Sequence, residues 1–183
     1  SDMISLIATA TNTQDKADQL LDFINQEKEM LTTSLATADD TPNIYLAGNS
    51  SLLSTAGPAM YQSGIIELAG GKNVASDISD TYWAEISYEQ LLSWDPDYII
   101  LASDAEYTVD DVLSDPNLKD CTAVKNNHVY AIPGDIEALD SPVPASILAS
   151  IWLAGILHPD QVSTDTYTKE MNSFYETFYG IKK

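Results

Sequence analysis

Three short apolar runs rich in β-branched and aromatic residues, NIYLAG at 43–48, DYIILA at 97–102 and HVYAIP at 128–133, are separated by segments of helical period. Runs of this length without polar alternation suit strands buried on both faces. Strands that alternate with helices predict an α/β fold with a mostly parallel sheet. Right-handed crossovers then place helices on both faces, giving a three-layer sandwich.

The helical segments have clear faces. Residues 14–31 put Ala17, Leu20, Leu21, Ile24 and Leu31 on one side of a long amphipathic helix, and the reading takes residues 1–36 as one linking helix ahead of an α/β unit at 37–183. Pro58 opens a second helix with Tyr61, Ile65, Leu68 and Ala69 on one face, closed by Gly70 and Gly71. Ser87 and Gln90 have capping-box spacing ahead of YEQLLSW, and YTVDDVLS is a weaker helical segment. Residues 144–157 are apolar nearly all round, as a helix buried on a sheet would be, and 164–179 carry Tyr167, Met171, Phe174, Tyr175 and Phe178 as one stripe.

Ligands of open α/β sheets sit beyond the carboxyl ends of the strands. That rule selects the loops AGNSSLLSTAGPAMY, NVASDISDTYW, SDAEY and PGDIEALDSPVP. Their chemistry is aromatic and apolar beside carboxylates: Met60, Tyr61, Tyr82, Trp83, Tyr107 and Ile136, with Glu137 and Asp140. Trp83 fits a ligand wall or the small core of its own loop, whereas Trp94 and Trp152 lie within helical apolar patterns. His128 and His158 lack metal-ligand spacing, AGNSSLLSTAG is neither a nucleophile elbow nor a phosphate loop, and Asp135, Glu137 and Asp140 do not match a calcium loop. No catalytic residues, cofactor or metal site are therefore expected.

Charge narrows the partners. Twenty-eight Asp and Glu against eight Lys, with no Arg, give a net charge of -20, which repels nucleic acid and anionic lipid. Such a surface serves solubility or meets an arginine-rich partner. Cys121, the single cysteine, reads as an inert small residue, and no stretch is long and apolar enough to span a membrane.

GIIELAGGKNVA, WAEISYEQLLSWDPDYIIL, HVYAIP and SPVPASILASIWLAGILHPD, in that order and spacing, resemble the C-terminal lobe of substrate-binding proteins of ferric-siderophore, haem and cobalamin ABC importers. The resemblance covers residues 14–180 and is most specific from Trp83 to Leu101. It implies that the first long helix is of the interlobe type and that the ligand, a metal chelate, is gripped between two lobes. It implies an extracytoplasmic monomer, in the periplasm or anchored as a cell-surface lipoprotein, that docks on an ABC permease. Residues 1–13 are too few for a first lobe, so the expectation is a single lobe, natural or cut from a longer protein. Met60, Tyr61, Tyr82, Trp83, Tyr107 and Ile136 are then the ligand-side candidates, and Glu137 and Asp140 the carboxylates that would meet permease arginines or serve as ordinary loop carboxylates. The lack of Arg, with no Lys in the candidate loops, points to a corrinoid or neutral chelate held by aromatic contact, or to cations supplied by the other lobe. The alternatives are an interaction or sensory module without a transport role, and an α/β enzyme of unrecognised chemistry.

Overall fold

The computed structural model describes residues 2–78 and 82–182, so Ser79, Asp80 and Thr81 of the candidate loop before Trp83 lie outside the described residues. In chain order the elements are α1 (Asp2–Thr11), α2 (Gln14–Leu35), β1 (Asn43–Ala47), β2 (Ser54–Ala56), α3 (Tyr61–Leu68), β3 (Lys72–Asn73), β4 (Trp83–Glu85), α4 (Tyr88–Trp94), β5 (Tyr98–Leu101), α5 (Val109–Leu113), α6 (Thr122–Lys125), β6 (Val129–Ala131), α7 (Ile147–Leu157) and α8 (Thr164–Tyr179).

The three apolar runs are β1, β5 and β6, and they pair in parallel: Ile44 opposes Tyr98, Leu46 opposes Ile100, and Ile99 opposes Val129. The full order is β4-β2-β1-β5-β6, with β3 parallel to the start of β1. The sheet is mixed, because β2 runs antiparallel to both β1 and β4. After β1 the chain turns back within a few residues, and so short a return can only give an antiparallel neighbour. The strand Ser54–Ala56 escaped the sequence reading because three small and polar residues carry no apolar run.

The period of two along β1 and β5 divides the interior into two layers of packing. Ile44, Leu46 and Ile100 face a core completed by α2, α3, α7 and α8, while Tyr45, Ala47, Ile99 and Leu101 face a second core under α4, α5 and α6. The three-layer expectation holds. Leu31 of α2 is fully buried in the first of these cores, so α2 belongs to the lobe's own packing. The expected single helix over residues 1–36 is instead two: Asn12 adopts a left-handed conformation (φ 56°) and breaks α1 from α2.

One cap stands where the sequence signalled it, and a second is added by the structure. The Ser87 hydroxyl accepts from the Gln90 N–H at the start of α4, and Thr108 forms a reciprocal capping box with Asp111 at the start of α5. At the far end of α3, Gly70 has φ +82°, and a side chain there would meet His158 Nε2 at 2.7 Å. His158 is itself buried, its Nε2 3.2 Å from the Gly70 carbonyl oxygen, and His128 stacks on Tyr98 with ring centroids 4.5 Å apart. Both histidines are therefore structural in their contacts.

Phe23 of α2 meets Phe174 and Phe178 of α8 at centroid separations of 5.3 and 6.0 Å, and Phe174 is fully buried. Phe174→Ala removes the centre of this cluster and should destabilise the chain by about 3–5 kcal/mol, read as a lower urea midpoint at an unchanged m-value.

Candidate functional site

β4 runs antiparallel to β2, which runs antiparallel to β1, so β1, β4, β5 and β6 all end at the same rim. The loops that leave this rim are tied to one another. Glu106 N–H donates to the Asn49 carbonyl (2.8 Å), and the Tyr107 hydroxyl donates to the Gly48 carbonyl (2.6 Å), joining the loops after β5 and β1. Burial raises the Tyr107 pKa, so the phenol stays a donor at ordinary pH. Ser103 donates from its N–H and its hydroxyl to the Asp140 carboxylate, joining the loops after β5 and β6.

Trp83 sits at the start of β4, opposite Ala56, and its ring lies over Gly48: a Cβ at Gly48 would be 3.1 Å from Trp83 Cζ3. The residue is 37% exposed, with its ring packed on the sheet rim. Tyr82 is more exposed, and its carbonyl accepts from Gly57 N–H (2.9 Å), whose own carbonyl accepts from Met60 N–H (3.0 Å). This places Tyr82 beside the loop that leads into α3. There the half-exposed Tyr61 donates to the Ser146 hydroxyl ahead of α7, and burial holds the phenol above its usual pKa.

Met60 and Tyr61 open onto a groove of about 710 Å³ whose walls also include Ile7 of α1, Ile24 and Lys28 of α2, and Val143 before α7. Thus the six ligand-side candidates do not form one wall. Met60 and Tyr61 face the groove, Tyr82 joins them through Gly57, and Trp83 and Tyr107 flank Gly48. Ile136 lies elsewhere, with Glu137, Tyr167 and Tyr175 around a hollow of about 20 Å³ against α8.

The docking pair is also split. Asp140 is 5% exposed and spends both carboxylate oxygens on Ser103, so it is a strut between loops rather than a surface acceptor, and the expectation that it meets a partner's arginine is corrected. Glu137 is half-buried and accepts from the Tyr175 hydroxyl (3.1 Å). A carboxylate that sequence reasoning passed over, Glu89, is fully exposed in the first turn of α4 at the same rim, its pKa lowered by its own backbone N–H and by the Ser87 hydroxyl. The signal for it was present in the Ser87 cap, which fixes the position of the first turn.

Reactive chemistry is sparse at this rim. Among the described residues no group of three or more His, Cys, Asp or Glu is placed to hold a metal ion. Cys121 is buried at the N-cap of α6, where burial pushes its thiol pKa up and away from the nucleophilic thiolate. No helix among the described residues is long and apolar enough to cross a membrane.

The model of the periplasmic binding protein family matches residues 1–136. The chain belongs to that family. It is 27% identical over 179 residues, 96% of its length, to the molybdate-binding protein MolA of Haemophilus influenzae, and it spans 50% of that relative. The solved structure of MolA bound to molybdate superposes with a TM-score of 0.85, covering 98% of this chain and 55% of the other. A periplasmic solute-binding protein from Veillonella parvula, 25% identical, superposes with a TM-score of 0.86 over 98% of this chain and 56% of that one. A cobalamin-binding protein of Halobacterium salinarum is 28% identical over 110 residues, 57% of this chain and 29% of that protein. The chain therefore spans about half the length of the relative that it matches over nearly its whole extent.

Asp140→Ala leaves the Ser103 N–H and hydroxyl without their acceptor and should cost about 1–3 kcal/mol of stability, whereas Trp83→Ala, at a residue 37% exposed, should cost less. Urea unfolding of both variants decides it. A larger loss from Trp83→Ala would make that tryptophan a core residue.

Proposed function

We propose that this chain is one lobe of the extracytoplasmic substrate-binding component of an ABC importer, a binding protein rather than an enzyme, and that its solute is a compact metal-bearing complex such as a corrinoid or another chelate. The observation that carries this reading is the rim itself: an exposed tryptophan whose ring lies over Gly48, beside a half-buried tyrosine and next to an apolar groove, on a family scaffold. Large rigid aromatic surface at the carboxyl ends of parallel strands suits a bulky planar or caged ligand. In this reading α2 leads toward the other lobe, which supplies the second wall of the cleft.

One observation favours an oxyanion instead. The groove holds a cation, Lys28, contributed by α2 rather than by the loops, and the relative that aligns over nearly the whole chain binds molybdate. The two readings separate by titrating cobalamin, haem, a ferric siderophore and molybdate into the two-lobed protein while following tryptophan fluorescence. For a chelate, Trp83→Ala should weaken binding by about 1–3 kcal/mol and Lys28→Ala should matter little. For molybdate the order should reverse. Binding of none of the four would overturn the assignment of a metal-bearing solute.

Docking on a permease would use the exposed Glu89 and the half-buried Glu137, because charge-assisted pairs with arginines set register and association rate. Glu89→Ala with Glu137→Ala should leave solute affinity unchanged, slow association with the permease in nanodiscs, and make the remaining association less sensitive to salt. Association unchanged in rate and salt dependence would place docking on other residues.

A further inference from the structure

The apolar stripe of α2 contains a carboxylate. Glu27 follows Leu20, Phe23 and Ile24 at helical spacing, precedes Met30 and Leu31, and is only 8% exposed. The facing stripe of α8 is interrupted in the same way: Glu170 lies between Tyr167 and Phe174, with its side chain 15% exposed. Phe23 packs on Phe174, so one turn onward along α2 and one turn back along α8 bring Glu27 and Glu170 to the same level of an antiparallel seam.

The charged groups around this pair are few. On α8, Lys169 is bound to Glu170 (Nζ to Oε1 2.8 Å) and is 80% exposed, so solvent weakens what it offers Glu27. α7 carries no ionisable residue, α3 carries Tyr61, whose phenol burial keeps neutral, and Glu67, and apart from Asp2 there is none on α1. On α2 the neighbouring Lys28 lines the groove.

We propose that Glu27, buried in the seam beside Glu170, is a protonation latch between α2 and α8, closed while Glu27 holds its proton and loosened when that proton is lost. Two carboxylates cannot both ionise cheaply in an apolar seam with one exposed ammonium nearby. The pKa of Glu27 accordingly rises from the ordinary 4.5 to about 7, first by burial and then by the charge of Glu170, with Lys169 opposing. A raised folded-state pKa means that folding takes up a proton. The stabilising contribution is complete below the ordinary carboxyl pKa and is lost as pH rises through about 7. The latch thus sits on the long helix that packs against α7 and α3 and lines the groove through Ile24 and Lys28.

The test is thermal unfolding of the 183-residue chain from about pH 5.5 to about pH 8.5, for the wild type, Glu27→Gln and Glu170→Gln, with the Glu27 carboxyl followed by carbon-13 NMR. The wild-type midpoint should fall by roughly 5 °C across this window, and Glu27→Gln should lose at least half of that fall. Glu170→Gln should move the Glu27 carboxyl resonance to titrate at lower pH. Parallel pH profiles for wild type and Glu27→Gln would overturn the latch. If Glu27→Gln does not fold, the NMR titration of the wild type decides alone: a Glu27 carboxyl that titrates in the ordinary carboxylate range overturns it, and one that titrates near neutrality upholds it.

Discussion

The parallel ladder between β1 and β5 is the constraint on which the rest of the chain depends. Four successive residues of each strand face one another in register, and every second side chain points to the opposite side. A slip of one residue would send Ile44 and Leu46 under α4 to α6 and Tyr45 under α7. Both helical layers are therefore positioned by a single pairing, and the apolar α7, with Leu148, Ile151 and Ala154 fully buried, has somewhere to go only because that register holds.

The same ladder builds the rim. Parallel neighbours end together, so the connections after β1, β5 and β6 emerge side by side, and short polar ties then hold them: Tyr107 on Gly48, Glu106 on Asn49, Ser103 on Asp140. These ties hold an edge made of loops in one arrangement. They also explain the fate of Asp140, whose charge is used to connect two loops and is no longer available at the surface.

Much of the fold was legible from residue pattern. The strands at 43–47, 98–101 and 129–131 and the helix at 164–179 fall where apolar runs and helical stripes placed them, because their burial follows a local pattern, and the Ser87 cap marks the start of α4. β2, β3 and β4 were not legible: Ser54–Ala56, Lys72–Asn73 and Trp83–Glu85 are too short to carry a period, and they are strands only because partners lie beside them. The site was half legible. Aromatic residues in strand-end loops were identifiable, yet their grouping around Gly48, Gly57 and Ser146 was not.

What the sequence by itself determined is the class of the fold, the family likeness and the acidic, arginine-free surface, since these follow from composition and from periods that act over a few residues. What only the tertiary structure decided is which residues share an environment. Glu27 and Glu170 stand 143 positions apart and lie along the seam that the Phe23 and Phe174 contact closes; Lys28 of α2 and Met60 ahead of α3 line one groove; Asp140 turns inward to Ser103. Long-range packing sets the solvation and the neighbours of each of these groups, and no local pattern in the chain carries that information.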